Sequence, residues 1–147
     1  MESETQEERL AARIVEGAAD AILFADREGK VRLWNPGAER IFGFTAAEAL
    51  GRSLDLIVPE KQRSRHWTGW DRVLETGTTK YSTDTLAVPA LRKDGSTLSV
   101  EFTIQMVRDE MGILGFAAIL RDVTARFQRE KALGAQLKEL RQKLAGK

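Results

Sequence analysis

The sequence predicts an α+β domain: a five-stranded antiparallel sheet with short helices on one face and a further helix at each end. Two short apolar runs joined by a turn open the central region, and three longer strand-like stretches in a meander close it. Between them Pro and Gly divide the chain into short helical segments. With 147 residues, 42% hydrophobic and 31% charged, the composition is that of one globular domain with little room for a second.

The first element is a charged, helix-forming stretch over residues 3–16, SETQEERLAARIVE. Leu10, Ile14 and Gly17 fall on one face at helical spacing, and Ser3 followed by polar and acidic residues is a capping signal. DAILFAD then runs into the turn at Gly29 and resumes as KVRLWN, a hairpin signature. Asn35-Pro36 stops that strand. Pro36 suits a first helical turn, and PGAERIFG places Ala38, Ile41 and Phe42 on one face before Gly43 ends the helix. Thr45 and Glu48 form a capping box for another short helix. SLDLIVP is an apolar segment stopped by Pro59, and a longer helix follows from Glu60 to Leu74, ended by Gly77.

The three closing strands are roughly KYSTDTLAVPALR, TLSVEFTIQMVRD and ILGFAAILRDV, with turns at Lys93-Asp94-Gly95 and Glu110-Met111-Gly112. In the second, Leu98, Val100, Phe102, Ile104 and Met106 alternate with polar residues, so one face is buried. From Thr124 to Leu144 there is no Pro, and Leu133, Leu137, Leu140 and Leu144 repeat at the 4-3-4 spacing of a coiled-coil seam. A seam of about two heptads is marginal alone, which predicts a homodimer through the terminal helices. The organisation expected is a helix over 1–17, a sensor domain over 18–124 and a heptad helix over 125–147.

Composition excludes several classes of function. Without Cys there is no disulfide framework, thiolate metal site or iron–sulfur cluster, nor a cysteine nucleophile or flavin–cysteinyl adduct. Twenty-three basic residues against 22 acidic ones leave a net charge of +1, which argues against nucleic-acid binding. No apolar run approaches the roughly 18–20 residues of a membrane span, and the acidic start MESETQEERL is unlike a secretory signal, so a cytoplasmic protein is expected. No P-loop, GxGxxG or paired carboxylates are present, and no enzyme is predicted. The basic run Lys61 to Arg65 reads as a solvated helix face.

The single histidine, His66, lies in PEKQRSRHWTGWDRVLETG, where helical spacing puts it on a face with Trp70, Val73 and Leu74. A neutral imidazole beside an apolar pocket is a haem ligand in chemical terms.

Over about residues 8–126 the chain resembles the PAS domain family. The resemblance is carried by DAILFADREGKVRLWNPGAERIFGFTAAEALGRSL, the KDGS turn and the exit ILRDVTAR. It implies a pocket between sheet and helices for a cofactor or small ligand, and an Asp122-Val123-Thr124 exit that couples the sheet to an output helix. From Pro59 to Gly95 the chain is similar to FixL-type haem-binding PAS domains of rhizobial oxygen-sensor kinases. There a P-E-x-x-R-S-R-H helix carries the proximal haem histidine, which falls on His66. An arginine that meets a haem propionate falls on Arg72, and apolar distal residues fall on Phe102 and Ile104. The distal arginine that bonds oxygen falls on Leu86, so a charge-assisted bond of about 1.5–3 kcal/mol is missing. The resemblance therefore implies haem b, with carbon monoxide, nitric oxide or redox state as the signal. Leu86, Phe102, Ile104 and Ile119 form the expected inward apolar set. The alternatives are a haem-free module that acts through dimerisation and contacts with a signalling partner in trans or senses a small organic ligand, or a flavin-binding one, since flavin members share Trp34 and Asn35.

Overall fold

The computed structural model describes residues 4–79 and 86–146. Helix α1 (Gln6–Gly17) begins at Thr5 rather than at Ser3. Thr5 and Glu8 form a reciprocal capping box, with Glu8 N donating to Thr5 Oγ1 at 3.1 Å and Thr5 N to Glu8 Oε2 at 3.0 Å. The Glu8 carboxylate also opposes the positive end of the helix dipole, which favours this start.

Strands β1 (Ala21–Asp26) and β2 (Val31–Trp34) form the expected hairpin, with Gly29 at φ +81°. The Asp26 carboxylate braces the turn by accepting from Glu28 N and Lys30 N at 2.9 and 3.1 Å. Helix α2 (Pro36–Phe42) follows at once, capped by Asn35 and closed by Gly43. Asn35 is buried and fully bonded. Its Oδ1 accepts from Ile22 N and Ala38 N, and its Nδ2 donates to the carbonyls of Val15 and Asp20, so one side chain ties α1, β1 and α2 together. Helix α3 (Ala46–Ala49) has the Thr45–Glu48 box, and SLDLIVP contains a 3₁₀ turn at Leu54–Leu56. Helix α4 runs over Glu60–Thr76, ending at left-handed Gly77.

Strands β3 (Leu86–Leu91), β4 (Thr97–Asp109) and β5 (Gly112–Asp122) complete a five-stranded sheet in the order β2-β1-β5-β4-β3, antiparallel throughout. The first six residues of the stretch expected to form β3, 80–85, lie outside the described residues. Pro89 is tolerated because β3 is an edge strand.

The paired register sets three apolar rows across the inner face: Leu86–Phe102–Leu120–Ala21, Ile104–Ala118–Leu23–Trp34 and Met106–Phe116–Ala25–Val31. The core lies where α2 and α3 cover β1 and β2, around Phe42, Val31, Trp34 and Leu23. Ile119 does not belong to the inward set. It pairs with Ile22 and Thr103 on the opposite face and is 49% exposed. The error has a simple origin: β5 reads ILGFAAIL, apolar on both faces, so its sequence lacks the alternation that orients β4.

Helix α5 (Thr124–Ala145) leaves the sheet with no buried residue, and Leu133, Leu137, Leu140 and Leu144 are each more than half exposed. Leu10 and Ile14 of α1 are exposed in the same way.

Candidate functional site

Helix α4 carries the candidate site, and three of its own side chains together with Arg108 of β4 hold it in place. Near its start Arg63 donates from Nε to Val58 O at 3.0 Å and from Nη2 to Asp55 O at 3.2 Å. Beyond its end Arg108 of β4 donates to Gly77 O at 2.9 Å. In between, Trp67 sits over the Gly29 turn and donates from Nε1 to Asp55 Oδ1 at 2.8 Å. Trp70 donates to Arg27 O at 3.0 Å and meets the Phe116 ring edge-on at 4.6 Å. The two tryptophans pack against the turn and the sheet, and each also satisfies its indole N–H.

His66 lies against both, its ring 4.6 Å from that of Trp67 and 5.9 Å from that of Trp70. The imidazole is half-buried, and its Nδ1 is fully buried without a hydrogen-bond partner. Burial pushes its pKa below the usual value, opposed in part by the negative charge of Asp55. The ring is therefore a neutral base near pH 7, the form that coordinates a metal.

Trp70 covers Phe116, whose row includes Met106; the next two rows carry Ile104 and then Phe102 with Leu86. Leu86 and Phe102 face each other directly across β3 and β4, and Ile104 follows two residues along β4 on the same face. All three are half-buried although they point to the core side of the sheet. The fold thus brings Leu86, Phe102 and Ile104 into one apolar strip. Arg72 stands apart: it lies six residues beyond His66, about 120° away around the helix axis, and is exposed. The residues that sequence reasoning passed over are Gln62, whose Oε1 is buried and unpartnered, and Asp55, the acceptor for Trp67. Gln62 had one visible signal, its place a helical turn before His66.

The donor set fits a haem and does not fit a bare ion. Among the described residues no group of three or more His, Cys, Asp or Glu side chains converges. A metal held by one neutral imidazole needs a ligand frame of its own, and a half-covered apolar strip suits the porphyrin face. A separate open cleft of about 440 Å³ between α2 and the β3–β4 turn is lined by Arg40, Arg92 and Lys93. Its cations are engaged: Lys93 with Glu48, Arg92 with Asp122 at 3.5 Å, and Arg40 with the Ala18 carbonyl at 3.3 Å.

Where β4 begins and β5 ends, the sheet is bonded to α5. Asp122 Oδ1 accepts from Thr124 N at 2.9 Å and from Thr124 Oγ1 at 2.6 Å, and Ser99 N donates to Thr124 Oγ1 at 3.0 Å. Arg126 of α5 pairs with Glu101 of β4.

A family model described as the PAS fold matches residues 15–128. The chain belongs to the PAS family. This PAS domain is 30% identical over 125 residues to the sensor protein FixL of Bradyrhizobium diazoefficiens, covering 85% of the chain and 24% of FixL. It is 26% identical over 104 residues to the oxygen sensor protein DosP of Escherichia coli, covering 71% of the chain and 13% of DosP. The chain thus spans a quarter or less of the length of these relatives. Among solved structures, an RNA-binding light-oxygen-voltage receptor superposes with a TM-score of 0.72 at 24% identity, covering 94% of the chain and 41% of that receptor. That likeness concerns the fold. The PAS domain is a signal-sensing module of the kind found in sensor proteins. Among the described residues no helix is long and apolar enough to cross a membrane.

Proposed function

We propose that this PAS domain binds haem b through His66, senses a diatomic gas or a redox change there, and relays it through α5. The observation that carries this reading is the half-buried imidazole of the chain's one histidine, held neutral by burial on the helix whose Trp70 packs on Phe116 of the sheet. The haem would supply the iron centre that binds the gas. His66 would hold it from one side, and Phe102, Ile104 and Leu86 would exclude water from the other. Arg72, on the exposed flank of α4, would meet a haem carboxylate only at the solvent edge. Leu86 offers no proton to a bound ligand, so carbon monoxide or nitric oxide suits the strip better than oxygen.

The relay uses bonds already described. Phe102 and Ile104 lie on β4, which also carries Ser99 and Glu101, the partners of Thr124 and Arg126 in α5. A ligand that favours one position of β4 over another shifts the orientation of α5 by mass action. The leucine seam of α5 pairs with a second copy in this reading, and the signal passes to a partner protein in trans, in the cytoplasm, without catalysis by the domain itself.

The test is a haem titration followed by absorption, with His66→Ala alongside. A sharp Soret band at one haem per chain, lost or shifted in His66→Ala, supports the proposal. A featureless spectrum, or one indifferent to His66→Ala, overturns it. The apolar stripes of α1 and α5, which are independent of the pocket, then favour a dimerisation and protein-interaction module without a cofactor. Flavin would show its own absorption in the same experiment, and without Cys it would form no cysteinyl adduct.

A further inference from the structure

Gln62 Oε1 and His66 Nδ1 are both buried side-chain atoms without a hydrogen-bond partner. They belong to one face of α4, four residues apart. Residues at that spacing have Cβ atoms about 5–6 Å apart, and helical side chains lean toward the N-terminus, which tips the His66 ring over the turn of Gln62. The two atoms are complementary. An amide oxygen only accepts, whereas an imidazole nitrogen donates when it carries the ring proton. Leaving both unpaired costs two desolvations that one bond between them would offset. Nearby polar groups are engaged elsewhere: Asp55 Oδ1 takes the Trp67 indole at 2.8 Å, and Trp70 Nε1 is bonded to Arg27 O at 3.0 Å.

We propose that Gln62 is the positioning residue of His66: its side-chain oxygen accepts the Nδ1 proton and so fixes the tautomer whose Nε2 lone pair is free. The torsion that would close the pair is the terminal one of each planar group, which is broad and soft in both residues. The bond also stops the ring from turning, so Nε2 keeps one direction, and it raises the basicity of that nitrogen. That Nε2 serves iron rests on the haem reading above. The bond and the tautomer do not depend on it.

One histidine per chain makes the test unambiguous. Long-range ¹H–¹⁵N spectra of the haem-free protein, recorded where the imidazole is neutral, report which ring nitrogen carries the proton. The expected result is the Nδ1–H tautomer in the wild type and in Gln62→Glu, with a shift toward Nε2–H in Gln62→Leu. Asp55→Asn should leave the tautomer unchanged. A dominant Nε2–H form in the wild type, or a tautomer that follows Asp55→Asn and ignores Gln62→Leu, overturns the proposal. Amide dispersion in the same samples reports folding, and Gln62→Ala, which adds no apolar bulk, replaces Gln62→Leu if that variant unfolds. With haem, Gln62→Leu should bind about 10–100-fold more weakly than the wild type, and Gln62→Glu should restore the affinity. A wild type that shows the Nδ1–H tautomer and binds no haem supports the positioning role while removing the haem reading.

Discussion

Replacing Gly29 with Ala tests whether α4 is seated on the β1–β2 turn by Trp67. A Cβ at that position would lie 2.2 Å from Trp67 Cη2 and 2.5 Å from Cζ3, far inside van der Waals contact. Gly29 also has φ +81°, a left-handed conformation that costs a residue with a Cβ about 1–2 kcal/mol. Displacing the indole adds the cost of overpacking, about 1–3 kcal/mol, for a total of about 2–5 kcal/mol. For a chain of 147 residues this lowers Tm by about 5–15 °C. Urea and thermal unfolding followed by circular dichroism measure it. The decisive comparison is Gly29→Ala in a Trp67→Ala background, where the clash is gone and only the backbone cost of about 1–2 kcal/mol remains. The coupling between the two sites should then be about 1–3 kcal/mol. Equal costs in the two backgrounds would refute the seating of α4 on the turn.

Asn35→Ala removes both bonds to buried or half-buried N–H groups and both to carbonyls; it should cost about 3–5 kcal/mol in urea unfolding, with the m-value retained. Glu48 is held down to about 2 from 4.5, first by its hydrogen bond with Lys93 and then by bonds within its own cap. Because its folded pKa is depressed, this contribution is present above the unfolded value and is lost as pH falls from about 4.5 toward 2. Lys93→Met should therefore flatten the fall in stability over that window, measured by unfolding at a series of pH values. Leu133→Lys with Leu137→Lys should convert a sedimenting dimer to a monomer; an unchanged sedimentation mass would remove the seam as the contact.

Much of the fold was legible because its signals are local. The Asn35-Pro36 start, the Thr45–Glu48 box, Gly43 and Gly77 at helix ends and the Gly29 turn all act within a few residues, and each performs the expected role. Strand β4 was oriented by alternation alone. The candidate site was legible in part: the helical stripe containing His66 and Trp70 and the inward set of β4 could be read one element at a time.

What the sequence by itself determined is therefore the element order, the caps and turns, the polarity of β4 and the histidine on the inner face of α4. Tertiary structure decided the rest. Ile119 went to the outer face because an apolar strand is oriented by its neighbours: Ile22 and Thr103 set its register. Gly29 came to lie under Trp67, and Asp55 became the indole's acceptor, through contacts between segments whose spacing in sequence carries no sign of the pairing. Periodicity and capping are properties of one segment, whereas burial belongs to two surfaces at once. The pairing of Leu86 with Phe102, and the burial of Gln62 Oε1 and His66 Nδ1, follow only once helix and sheet have met.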